Sequence, residues 1–368
     1  MPKYYNPVNV IKTDDWLHEL NIQKNKINIF NPLIVTSPGN RKRLHLETHF
    51  TNGLIFDDIQ INPNFDDCAK IVKIMRARKK TPFDGVIAIG GGSVMDLAKF
   101  ALAYLCLDIS NISTIINYKE NYPKTIPSIF LPTTHGTGSE VTMWGTIWDI
   151  VEKKKCSISN IDLYPTKAIL DGNLTISLPL DISITSVMDA LSHSFEAIWN
   201  KNANSISTKY AIEAIVLILN NIQKLKKNTT NMDVRNTLLY ASNLAGLAFS
   251  NTKTAAAHSI SYPLTLHFGI PHGIASSITL LPLFEINSHL IRETLDKICN
   301  NVSFTLDELR QAIINIPKNV IPYTLSEWGV TKNQLAQIVD GAFTTGRMDN
   351  NIVNLTEKNV ENILLDIY

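Results

Sequence analysis

The chain has 368 residues, 45% of them hydrophobic and 18% charged, enough for two domains with substantial cores. Lys and Arg together number 34 against 33 Asp and Glu, so the net charge of +1 provides no basic excess for a phosphate backbone, and no nucleic-acid partner is expected. The polar start MPKYYNPVNVIKTDDW lacks an apolar signal core, and Lys99 interrupts the longest apolar run, LAKFALAYLCL; the expectation is a cytoplasmic protein with no membrane partner.

In chain order, β-rich apolar runs at Leu33–Thr36, Gly53–Asp57, Gly85–Ile89 and Ser128–Leu131 alternate with helical patterns at Asp66–Lys79 and Val94–Leu105. That alternation predicts an α/β domain, a parallel sheet flanked by helices. Glu140–Ile150 and Cys156–Ile161 read as a flanking hairpin, and Lys167–Leu170 as one more strand. Beyond Leu178-Pro179 apolar residues recur every three or four positions, as at Ile184, Val187, Met188, Leu191, Phe195 and Ile198. The expected domains are therefore 1–178, α/β, and 179–368, all-helical. Cys68, Cys106, Cys156 and Cys299 are widely spaced, without a CxxC pair, and read as reduced structural thiols.

Three glycines, Gly90 to Gly92, link a strand to a helix start in GVIAIGGGSVMDLAK. Amides at such a helix N-terminus suit a diphosphate, and Ser93 can cap the helix or donate to the phosphate. The pattern is not GxGxxG, since Met95 takes the third glycine position, and a tight turn without ligand would look the same. PTTHGTGSE follows at the end of a later strand, where open α/β sheets bind nucleotides; it would also suit an ordinary polar loop.

Asp189 and His193 stand i and i+4 on an apolar helix and so share a face; His258 and His272 follow in TKTAAAHSISYPL and GIPHG. One carboxylate and three imidazoles can hold a divalent ion, although the i,i+4 pair alone fits an Asp–His hydrogen bond equally well.

GGGSVMDLAK, PTTHGTGSEVT, DALSHSFEA and HSISYPLTLHFGIPHG, in this order, resemble the iron-containing (group III) alcohol dehydrogenase family from about residue 30 onward. The resemblance implies a dehydroquinate synthase-like architecture with nicotinamide and metal in a cleft between its domains, and a homodimer acting on a small aldehyde or alcohol. It assigns Asp189, His193, His258 and His272 to the metal, Fe2+ or, by the same donor set, Zn2+. Gly91, Gly92, Ser93 and Asp96 match the diphosphate loop, and Thr133, Thr134, Thr137, Lys155 and Asn62 match further cofactor contacts. The implied reaction is hydride transfer from reduced nicotinamide to an aldehyde polarised by the metal.

Departures from the family pattern carry further expectations. Tyr262 stands where a second histidine often follows the third ligand, and His135 stands where a small residue is common. TIWDIVEKKKCS, TKTAAAHSISYPLTLHFGIPHG and TTGRMDNN together resemble the phosphonoacetaldehyde reductase branch, whose product is 2-hydroxyethylphosphonate; Lys253, Arg347 and His267 are then candidate cations for the phosphonate. A short-chain alcohol dehydrogenase of butanol or lactaldehyde type, and a dehydroquinate synthase-like lyase, are the alternatives. Family members often place an Asp after the second strand, against the adenosine ribose. Here Ser37 and the basic turn with Arg41, Lys42 and Arg43 predict NADP(H) over NAD(H).

Overall fold

The computed structural model describes residues 4–78, 80–109, 111–152 and 154–368. They form two compact units, Asn6–Thr134 with Ser139–Thr175, and Ile176–Tyr368 with His135–Gly138 and the N-terminal Tyr4 and Tyr5. The chain passes between the units after Tyr5, Thr134, Gly138 and Thr175, where a single boundary at 178/179 was expected. Thr137 and His135 consequently belong with the helices, whereas Thr133 and Thr134 belong with the sheet.

The first unit holds the strands β1 (Asn9–Lys12), β2 (Pro32–Thr36), β3 (Leu54–Phe56), β4 (Gly85–Gly90), β5 (Ser128–Pro132), β6 (Trp144–Asp149), β7 (Lys154–Ser159) and β8 (Lys167–Leu170). Its helices are α1 (Trp16–Lys26), α2 (Pro38–Arg43), α3 (Leu46–His49), α4 (Phe65–Ala77), α5 (Gly92–Leu107) and α6 (Ile112–Asn117). Six strands pair in parallel in the order β1-β8-β5-β4-β2-β3, while β6 and β7 form a separate antiparallel hairpin.

Side chains alternate along each strand, so the sheet supplies two cores. Leu33, Val35, Val86, Ala88 and Phe130 face α4 and α5; Ile34, Ile87, Ile89, Ile129 and Leu131 face the other way, with Leu20 of α1 and Leu46 of α3. Burial on both faces explains why the central strands read as unbroken apolar runs. The hairpin starts at Trp144 and not Glu140, because Ser139–Val141 is a short 3-10 turn onto which the buried Lys99 ammonium donates. The helix expected over 66–79 runs Phe65–Ala77; Lys79 itself lies outside the described residues.

The second unit is helical: α7 (Leu180–Ile198), α8 (Ser205–Lys227), α9 (Met232–Thr252), α10 (Ala256–Phe268), α11 (His272–Ala275), α12 (Leu280–Asn287), α13 (Arg292–Val302), α14 (Leu306–Asn315), α15 (Leu335–Gly341) and α16 (Glu357–Asp366). Every apolar position singled out on α7 is buried. Gly273 lets α11 press onto α7, since a Cβ there would sit 2.2 Å from the Thr185 carbonyl oxygen. All four cysteines are free, and among the described residues no single helix is long and apolar enough to cross a membrane.

Candidate active site

In the sheet unit, β4 runs into α5 through Gly91, whose lack of a side chain leaves the first-turn amides without a side-chain cap. Those amides and the positive end of the helix dipole are free to meet an oxyanion. A Cβ on Gly91 would come 3.1 Å from Thr134 Cγ2, so the glycine keeps open a cradle that a larger residue would fill. Thr133 is tied to the same turn, its N–H donating to the Gly90 carbonyl at 3.1 Å. The Asn62 N–H donates to Ser93 Oγ at 3.2 Å, so Ser93 anchors that loop and Gly91, not Ser93, is the N-cap.

Asp96 lies on α5, one turn beyond the glycines. It accepts from Ser139 Oγ at 3.5 Å beside the Lys99 ammonium, and burial pushes its carboxyl up to about 6 despite that cation. Lys155 sits opposite Trp148 in the hairpin, its Nζ 6.0 Å from the indole centroid.

Ser37 caps α2 by accepting from the Asn40 N–H at 3.3 Å. The basic turn is largely committed. Arg41 pairs with Glu47 at 2.5 Å and with Asp57 at 2.9 Å, and Arg43 donates to Asn40 Oδ1 and the Leu174 carbonyl. Arg41, expected as a phosphate ligand, is here paired with carboxylates of α3 and of the loop after β3, while Lys42 remains exposed.

In the helical unit, α7 presents Asp189 and His193 one turn apart, and α10 and α11 bring His258 and His272. Donors of Asp189, His258 and His272 all lie within 4.8 Å of one another. From the Asp189 carboxylate, His258 Nε2 is 3.5 Å away, His193 Nδ1 3.9 Å and His272 Nε2 4.0 Å. These gaps are too long for hydrogen bonds, but they approach the spacing of about 3.4 Å expected between donors each about 2.1 Å from a shared tetrahedral ion.

His193 Nδ1 and His258 Nε2 are both buried without a hydrogen-bond partner. Leaving two imidazole nitrogens orphaned is costly unless an ion takes their lone pairs. Burial drops His193 to about 4, against the pull of Asp189, which keeps its lone pair available at neutral pH. Asp189 is pushed up by burial, but the imidazoles, His193 first, hold it well below the usual carboxylate range. His272 is 30% exposed and opens the cluster to solvent. The donor set fits a divalent first-row ion.

Around this cluster the other candidates separate. Tyr262 follows His258 by one turn of α10, and the Arg347 guanidinium lies 5.6 Å from its ring centroid. Burial pushes the Tyr262 phenol up to about 12 even with Arg347 nearby. Arg347 Nε is buried and has no partner. By contrast Lys253 is exposed at the end of α9, and His267 is exposed in the last turn of α10, so neither is enclosed beside the donors. Glu196, which the sequence reading passed over, is fully buried against His258. Its position three residues after His193 was the available signal.

Residues 7–172 match the family model described as iron-containing alcohol dehydrogenase, and 183–368 match the C-terminal model of the Fe-containing alcohol dehydrogenase family. The chain is 32% identical over 267 residues to the probable alcohol dehydrogenase EutG of Escherichia coli, covering 73% of this chain and 65% of that protein, just under two thirds. It is 30% identical over 345 residues to sulfoacetaldehyde reductase of Bilophila wadsworthia, covering 86% of each. The crystal structure of sulfoacetaldehyde reductase from Bifidobacterium kashiwanohense in complex with NAD+ superposes with a TM-score of 0.89 at 27% identity, over 100% of this chain and 98% of that one. Both halves of the chain thus point the same way, and the protein belongs to the iron-containing alcohol dehydrogenase family of oxidoreductases.

Proposed function

We propose that this oxidoreductase reduces phosphonoacetaldehyde to 2-hydroxyethylphosphonate with NADPH and a proton, using iron(II) held by Asp189, His193, His258 and His272. The ion would supply Lewis acidity at the aldehyde oxygen and the nicotinamide would supply the hydride. The chain's own groups do the rest. Gly91, Gly92, Thr133 and Thr134 shape the turn that receives the cofactor diphosphate. His193 stays neutral and keeps its Nδ1 lone pair for the ion. The Tyr262 Oη remains protonated and can donate one turn from His258.

The observation that carries the substrate assignment is the Arg347 guanidinium, 5.6 Å from the Tyr262 ring centroid with its Nε buried and unpartnered. A cation held there suits a tetrahedral oxyanion through paired donors. Arg347, and not the exposed Lys253, is the proposed anchor. A sulfonate offers similar geometry with one charge fewer. Because two of the similar proteins are named sulfoacetaldehyde reductases, sulfoacetaldehyde is the second reading.

The test is NADPH oxidation with phosphonoacetaldehyde, sulfoacetaldehyde, acetaldehyde, butyraldehyde and lactaldehyde, in wild type and Arg347→Met. The phosphonate aldehyde should give the highest kcat/KM. Arg347→Met should lower that value by roughly ten- to a hundredfold, the worth of a charged hydrogen bond of about 1.5–3 kcal/mol, and leave butyraldehyde unchanged. Equal losses on both aldehydes would remove Arg347 from the substrate's anionic end.

A further inference from the structure

Glu196 has no exposure to solvent, and burying a carboxylate is costly unless donors saturate it. Three do. Its Oε1 accepts the backbone N–H of Ala255 at 3.0 Å and of His258 at 3.1 Å, and its Oε2 makes a short contact with His258 Nδ1. Ala255 is the N-cap of α10 and makes no side-chain cap, so Glu196 caps α10 from a different helix. The same carboxylate thus holds both the backbone and the ring of His258. The ring's other nitrogen, Nε2, has no hydrogen-bond partner and faces Asp189 Oδ1 at 3.5 Å.

We propose that Glu196 is a positioning residue of the metal centre: by accepting the Nδ1 proton of His258 it selects the tautomer whose Nε2 lone pair points at the ion. The inference rests on the metal reading given above. A ligand histidine whose far nitrogen is held by a carboxylate is fixed in ring orientation and made more basic. Glu196 reaches the substrate only through His258.

Glu196→Gln leaves Oε1 to accept from both backbone N–H groups but sets an amide donor against Nδ1, driving the ring proton to Nε2. Dissociation constants for Zn2+ and Fe2+, measured by chelator competition on the full-length protein without turnover, should rise roughly ten- to a hundredfold. Melting of the metal-free protein and NADPH binding are the controls and should match wild type. A change below about twofold overturns the role of Glu196 and leaves the metal reading intact. A wild type that binds neither ion overturns both. If the variant melts early or fails to fold, nitrogen-15 spectra of the zinc-loaded, histidine-labelled wild type decide. A slowly exchanging proton on His258 Nδ1 is expected, and ligation through Nδ1 refutes the proposal.

Discussion

Ser37 follows β2 with a hydroxyl that caps α2, and aspartate is at least as good an N-cap. Ser37→Asp should therefore leave stability intact and, if the proposed cofactor placement holds, change only what the ribose meets. Catalytic efficiency with NADPH should fall roughly ten- to a hundredfold, about 1–3 kcal/mol for a carboxylate set against a 2′-phosphate. Steady-state kinetics with both cofactors check this, and a wild type that prefers NADH at matched concentrations defeats the NADPH assignment. His135 poses a different question, because both its ring nitrogens are buried without partners. Burial, aided by the Arg235 charge, pushes it down to about 3. Below pH 6.5 the unfolded chain takes up a proton that the folded chain refuses, so stability is lost as pH falls from 6.5 toward 3 and is level above 6.5. The loss between pH 6.5 and 5 is on the order of 2 kcal/mol. His135→Leu fills the same space without a titratable group and should flatten that slope in urea unfolding; equal slopes would show that His135 is not its source.

Between α9 and α10 the chain turns through Lys253, at φ 65° and ψ 179°. That region is almost confined to glycine and costs other residues about 1–3 kcal/mol. Its carbonyl is held there by Asn200 Nδ2 at 3.2 Å and Thr252 Oγ1 at 2.9 Å. Lys253→Gly should stabilise the protein by about 1 kcal/mol, part of the relief being offset by glycine's unfolded-state entropy. With Arg347 as anchor, its KM for phosphonoacetaldehyde should not move. A lower urea midpoint, or a raised KM, would reverse one assignment or the other. Elements of this kind differ in how far the sequence shows them. The central strands were legible because burial on both faces leaves only apolar residues, and α7 because its apolar spacing is regular over 19 residues. β1 was not legible: four residues at the sheet's edge, exposed at both ends, carry no such run. The true start of the hairpin was hidden as well, because it depends on Lys99, 45 positions from the Trp144 carbonyl it binds.

At the scale of the whole molecule, the four candidate donors were visible as residue types, but the convergence of Asp189, His258 and His272 was not, since α7, α10 and α11 are separate in sequence and only packing joins them. Glu196 was harder still, reading as a lone carboxylate on an apolar helix; Arg347 was visible as a cation, but its pairing with Tyr262 spans 85 positions of chain and was not legible. Because every proposed metal donor comes from the helical unit, the free energy of an ion bound there should appear as that unit's resistance to opening. At a free metal concentration about a hundredfold above Kd, binding contributes about 2.7 kcal/mol, which slows exchange through metal-releasing openings by about a hundredfold. Hydrogen exchange read by mass spectrometry should therefore show protection over Leu180–Ile198 and residues 256–275, with little change over Gly85–Leu107. NADPH should do the reverse, protecting the β4–α5 turn, where Gly91 leaves the α5 amides uncapped. His258→Ala should abolish the metal's effect and leave the cofactor's in place. Metal-induced protection distributed equally over β2, β4 and β5 would mean that the ion binds elsewhere than at Asp189 and the three histidines.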